Sequence, residues 1–102
     1  MILQQIDFTK FQFFKNLTYL PFIEQILLFG SRALGDAQER SDIDLAIECP
    51  SATEKDWLKV LDIIEDADTL LKIDCVRLDQ LSNDNPLRKS VLRDGIILFI
   101  RP

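Results

Sequence analysis

The stretch Leu28-Phe29-Gly30-Ser31-Arg32-Ala33-Leu34-Gly35, then Asp36-Ala37-Gln38-Glu39-Arg40 and Ser41-Asp42-Ile43-Asp44-Leu45, decides how this chain is read. Before it, Ile23 to Phe29 is rich in β-branched, aliphatic and aromatic residues and ends at Gly30, the pattern of a strand running into a tight turn. After it, Asp42 to Ile47 resumes as a short strand. Alternate strand residues point to opposite faces, so Ile43, Leu45 and Ile47 share the core side while Asp42 and Asp44 present adjacent carboxylates on the other. Two such carboxylates repel each other, and a divalent cation relieves the repulsion. Magnesium suits the site, because it binds through one or two carboxylates, water and phosphate oxygens. Gly30 lets a phosphate approach the backbone. If Ser31 to Leu34 is the first turn of a helix, its free N–H groups and the Ser31 hydroxyl face an anion.

Two metal ions flanking a reacting phosphorus need a third carboxylate. Asp74, in Lys72-Ile73-Asp74-Cys75-Val76, is the candidate, since an acidic residue between apolar strand positions is costly to bury without a partner. Adjacent strands lie about 4.8 Å apart, which brings Asp74 within reach of the metals held by Asp42 and Asp44. Asp79 is the alternative, where the strand is ending. Arg32 and Arg40 are candidate phosphate contacts, with surface ion pairs to Asp36 and Glu39 as the competing assignment, and Lys72 shares a strand face with Asp74.

Working outward, Asp7 to Leu20 reads as one amphipathic helix carrying Phe8, Phe11, Phe13 or Phe14, and Leu17, stopped by Pro21. Ser51-Ala52-Thr53-Glu54 offers a capping box for a helix reaching about Leu71, with Trp57, Leu58, Leu61, Ile64 and Leu71 as its buried stripe and Asp56, Asp62, Glu65 and Asp66 as a solvated face. Ile73 to Leu78 is a third strand. Asn85 caps a short helix that starts with Pro86 and ends at Gly95, and Ile96 to Ile100 is the last strand. The fold class is therefore α/β (α+β): a small mixed sheet of about four strands with helices packed on one side, in one domain over residues 1–102.

Composition narrows the chemistry. The 102 residues carry 12 Lys plus Arg against 17 Asp plus Glu, a net charge of −5, which argues against direct nucleic-acid binding, a process that rests on clustered basic side chains. There is no His, so catalysis by imidazole and His-ligated zinc are excluded. The longest unbroken apolar run, Ile96 to Ile100, is too short to span a bilayer, and the N-terminus lacks the features of a signal peptide. Cys49 and Cys75, without CxxC spacing and among apolar neighbours, read as reduced thiols of a cytoplasmic protein.

Gly30-Ser31, ten residues, then Asp42-Ile43-Asp44 reproduces the GS-x10-DxD signature of the polymerase-β-like nucleotidyltransferase superfamily. With Arg32, Gly35 and Ser41 to Leu45, the chain most resembles the minimal nucleotidyltransferase branch. The resemblance implies magnesium-dependent transfer of AMP from ATP to a hydroxyl. On it, Asp42, Asp44 and Asp74 are catalytic metal ligands for two Mg2+ ions, Asp74 also helps deprotonate the acceptor, and Gly30, Ser31 and Arg32 contact the nucleotide. Leu34 departs from the family pattern, which often has Arg there. The chain leaves no room for an acceptor-gripping domain, so the resemblance implies a partner, a HEPN-domain protein encoded nearby. AMP would be added to a tyrosine of that partner, with this chain as the antitoxin of the pair, in a hetero- or homo-oligomer. The alternative is a binding module that neutralises the HEPN partner by docking. The Phe8/Phe11/Phe13/Phe14 segment reads as core-facing, with a partner or self-association surface as the alternative.

Overall fold

Apolar runs in β1 (Gln25–Phe29) and β4 (Ile96–Ile100), and more mixed patterns in β2 (Ile43–Glu48) and β3 (Ile73–Arg77), build four strands in a computed structural model that describes residues 6–102. Among them lie the helices α1 (Gln12–Tyr19), α2 (Ser31–Leu34), α3 (Glu54–Glu65) and α4 (Pro86–Asp94), with one-turn 3-10 segments at Phe8–Lys10 and Leu78–Gln80. The sheet order is β3-β2-β1-β4. β1 pairs antiparallel with both β2 and β4, whereas β2 and β3 are parallel, joined by the crossover through α3. The fold is α+β with a mixed four-stranded sheet.

Strand alternation divides the core in two. Ile26, Leu28, Ile43, Leu45 and Ile47 pack with Phe13, Phe14 and Leu17 of α1 and Val60 of α3. On the opposite face Leu27 and Ala46 pack with Leu78 and Val91, so α4 covers the side that α1 and α3 leave open. Helices on one side therefore describes α1 and α3 but not α4.

The first helical stretch is not one helix. Phe11 is extended, with φ −88° and ψ 135°, separating the Phe8–Lys10 turn from α1. The break is held by carboxylates: Asp7 accepts from Thr9 N, and Asp68, 56 residues from Gln12, accepts from Gln12 N at 2.9 Å and from Phe13 N at 3.0 Å. Those N–H groups begin a helix and have no partner within it, so a remote carboxylate serves as the cap. Phe8, Phe13 and Phe14 are buried, which removes the Phe segment as a partner surface. The large apolar side chains left exposed include Ile96, Ile97 and Ile100 on the edge strand β4.

α3 also differs from the sequence reading. Its capping box is Thr53 with Asp56, two residues beyond the expected start, and it ends at Glu65 instead of near Leu71. The buried face carries Val60, with Trp57, Ile63 and Ile64 packed against the same cluster, whereas Leu58 and Leu61 are exposed. A stripe drawn through 57, 60 and 64 leaves 58 and 61 to one side of it. α4 begins as expected, with Asn85 Oδ1 accepting from Leu87 N at 2.8 Å and Pro86 in the first turn. Both cysteines are free thiols, and burial pushes Cys49 up to about 11 and Cys75 up to about 12. Among the described residues no helix is long and apolar enough to cross a membrane.

Candidate active site

The turn after β1 sets the first part of the site. Gly30 adopts φ 73° and ψ −156°, a region essentially closed to residues with a Cβ, and α2 follows as a single turn ended by Gly35 in the left-handed conformation. Gly30 O accepts from Ala33 N and Leu34 N. The Asp44 carboxylate lies directly over Gly30: a Cβ built on Gly30 would overlap Asp44 Oδ2 and sit 3.1 Å from its Cγ. This approach follows from the ladder, in which Phe29, the residue before the turn, pairs with Asp44.

Asp44 has a second neighbour across the sheet. The parallel register pairs Asp44 with Asp74, so both side chains leave the same face. Asp42 precedes β2 by one residue and is exposed. Ile43, between the two aspartates, donates its N–H to Lys72 O at 2.8 Å. The three carboxylates thus gather at one end of the face that α4 covers at the other, beside the turn at Gly30. Burial raises the Asp44 carboxyl above its ordinary value, and the negative charges of Asp74 and Asp42 push it further up. Lys72 offsets part of this, with its Nζ 3.6 Å from Asp74 Oδ1.

Asp79, the alternative third carboxylate, belongs to a different structure. It accepts from Cys49 N at 2.8 Å and pairs with Arg77 at 3.0 Å, and both side chains are about nine-tenths buried. Arg77 also donates to Cys49 O and Ala52 O, closing the far ends of β2 and β3. Arg32 is turned away from the turn as well. Its Nε and Nη2 donate to Ser41 O at 3.1 and 2.7 Å, and Nη2 also reaches Glu39 O at 3.1 Å and Gln38 O at 3.4 Å. Among the described residues neither Asp36 nor Glu39 forms an ion pair with it.

The donor set suits a hard divalent cation: oxygen ligands only, mutual repulsion already expressed at Asp44, and one ammonium in partial compensation. Among the described residues no three acidic, Cys or His side chains are placed so that they alone could hold a metal ion. Ligands from the substrate would have to complete the coordination.

Residues 12–102 match the family described as polymerase beta, nucleotidyltransferase. The chain belongs to this nucleotidyltransferase family. A Methanocaldococcus jannaschii protein named "Putative protein adenylyltransferase MJ1379" is 29% identical over 75 residues, which cover 74% of this chain and 75% of the relative. Two solved structures are similar in fold. One is a toxin–antitoxin pair, MntA–HpeT, carrying two Asp-to-Glu substitutions (TM-score 0.56, 20% identity, 85% of this chain and 72% of that chain). The other is a toxin–antitoxin with AMP-PNP (TM-score 0.58, 23% identity, 85% and 73%). Nucleotidyl transfer is thus the activity class of this nucleotidyltransferase.

Proposed function

We propose that this nucleotidyltransferase moves AMP from ATP to a tyrosine hydroxyl of a HEPN-domain partner, as the antitoxin of a two-protein system, with magnesium bound by Asp42, Asp44 and Asp74. The observation that carries the reading is the meeting of Asp44 with Asp74 in register and with the Gly30 turn beneath it. The name of the archaeal relative and the toxin–antitoxin setting of the two similar folds support the choice of acceptor. The reading places the protein in the cytoplasm, where ATP is available.

In this reaction the acceptor oxygen forms a bond to the α-phosphorus of ATP while the bond to the bridging oxygen breaks, and pyrophosphate leaves. Bound magnesium would neutralise the triphosphate and the charge that builds at phosphorus. Asp42, Asp44 and Asp74 would hold the cations, and Asp74 would also help to take the acceptor proton. The backbone at Gly30 and the Ser31 hydroxyl bind the β- and γ-phosphates. Holding donor and acceptor in line supplies the rest of the acceleration, with no imidazole required.

The test is direct. The protein is incubated with ATP, magnesium and the product of the neighbouring gene, and the intact mass of the partner is measured. The expected result is a gain in multiples of one AMP, abolished by Asp42→Asn with Asp44→Asn. Labelling that survives the double substitution refutes the metal assignment. A tight complex without labelling refutes the transfer reaction and leaves docking as the mode of neutralisation.

A further inference from the structure

Asp42 lies outside the strand and is exposed, so something besides burial must fix its carboxylate. Two anchors flank it. On its C-terminal side Ile43 N–H bonds to Lys72 O. On its N-terminal side the carbonyl of Ser41, which belongs to the peptide plane leading into Asp42, accepts from both Nε and Nη2 of Arg32. The same guanidinium reaches the Glu39 and Gln38 carbonyls. Gln38 and Ser41 close the loop further: Ser41 N donates to Gln38 O, and Gln38 N donates to Ser41 Oγ. Arg32 therefore sits inside a ring of carbonyls and joins the one-turn α2 beside Gly30 to the residue before Asp42. The Ser41 carbonyl shares a peptide plane with Asp42 N and Cα, so holding it, with Ile43 N–H held by Lys72 O on the other side, places the Asp42 backbone from which the carboxylate extends.

We propose that Arg32 is a positioning residue: it orients Asp42 for cation binding by clamping the 38–41 carbonyls. The inference rests on the reading of Asp42, Asp44 and Asp74 as the metal site. The four hydrogen bonds engage Nε and Nη2, three of them at 3.1 Å or shorter, and leave only Nη1 for any other acceptor.

The two roles for Arg32 differ in the sign of one measurement. If Arg32 acts only by its charge, removing it takes a cation away from a carboxylate cluster, and nucleotide-free binding of a divalent cation stays the same or tightens. If it positions Asp42, the same substitution weakens that binding. Mn2+ binding is measured by electron paramagnetic resonance without nucleotide, on wild type, Arg32→Gln, Arg32→Lys and Asp42→Asn, with amide hydrogen exchange at residues 38–42 and thermal melts in parallel. Positioning predicts that Arg32→Gln weakens Mn2+ about tenfold, the low end of what loss of a ligand-orienting partner costs. It also predicts faster exchange at Ser41 N–H. Arg32→Lys, which keeps the charge but offers one ammonium to three carbonyls, gives a smaller loss and carries the test if Arg32→Gln does not fold. Unchanged or tighter Mn2+ binding in the folded Arg32 variants, with weakened ATP binding, overturns the proposal. Wild-type Mn2+ binding that persists unaltered in Asp42→Asn refutes the metal-site reading itself and the inference with it.

Discussion

Replacing Gly30 with Ala perturbs one Cβ and tests the geometry on which the site depends. At φ 73° and ψ −156° an L-residue is in a region reserved almost wholly for glycine, at a cost of about 1–3 kcal/mol. The new methyl also overlaps Asp44 Oδ2, so the carboxylate must leave its rotamer, adding about 1 kcal/mol. The sum, about 2–4 kcal/mol, lowers the melting temperature of a domain this size by roughly 10–25 °C. Circular dichroism melts read the loss, and Mn2+ titration reads the displacement of Asp44. Gly30→Ala in an Asp44→Ala background keeps the backbone strain but removes the overlap, so the cycle should show a coupling of about 1 kcal/mol. Gly35 is the control: it is left-handed at φ 81° and ψ 10°, a conformation Asn tolerates, and Gly35→Asn should cost less than about 1 kcal/mol. A Gly30→Ala protein that melts within two or so degrees of wild type and binds Mn2+ as well would refute the reasoning, since neither strain nor overlap could then exist.

Three further outcomes follow from the same coordinates. Burial and the charges of Asp74 and Asp42 raise the Asp44 carboxyl in the folded state, so this group favours folding below the ordinary carboxylate range and disfavours it as pH rises through the raised value. Asp44→Asn should therefore raise the melting temperature by a few degrees at neutral pH, about 1 kcal/mol or less, while abolishing cation binding; in wild type, Mn2+ should be released on acidification before ordinary carboxylates protonate. Arg77→Met strands the buried Asp79 and removes donors from Cys49 O and Ala52 O, which should cost about 3 kcal/mol in urea denaturation, more than the milder Asp79→Asn. Asp68 is held below its ordinary range by the N–H groups of Gln12 and Phe13, so its stabilisation is present above that range and disappears as pH falls through the lowered value; the difference in melting temperature between wild type and Asp68→Ala should shrink accordingly.

The carboxylate pair and the glycine turn were legible because each rests on a local rule: period two in a strand, and a Gly at a strand end. So were the Asn85-Pro86 helix start and β4. The sequence could not show that Asp68 caps α1, because the two are separated by more than half the chain and no spacing rule connects them. Nor could it divide the Phe-rich segment at Phe11, where remote capping overrides a continuous apolar pattern. The sequence pattern favours Leu58 and Leu61 over Val60 because three apolar pairs, 57/58, 60/61 and 63/64, admit more than one stripe, and only the packing partner selects among them. Arg32 beside the Gly30 turn reads as a phosphate ligand from its position in the sequence. Its actual acceptors are backbone carbonyls, which every residue possesses and which therefore leave no trace in the composition of the loop.

The balance between enzyme and docking module can be argued from what the fold tolerates at this end of the sheet. Three carboxylates lie near one another with the Lys72 ammonium beside them, and burial, together with the charges of Asp74 and Asp42, raises Asp44. The turn beneath Asp44 takes a backbone conformation that excludes every residue but glycine, and the glycine leaves space that the carboxylate oxygen immediately borders. Each feature works against stability, and neither presents shape or apolar area to a partner protein. The surface that could do so is elsewhere, on β4, where Ile97 and Ile100 are more than half exposed along an edge strand. A module that only docked could lose Asp44 to Asn, gain stability and keep its contacts. Strain and charge gathered at one point, apart from the apolar edge, are what the proposed cation-assisted transfer site requires and a docking surface does not.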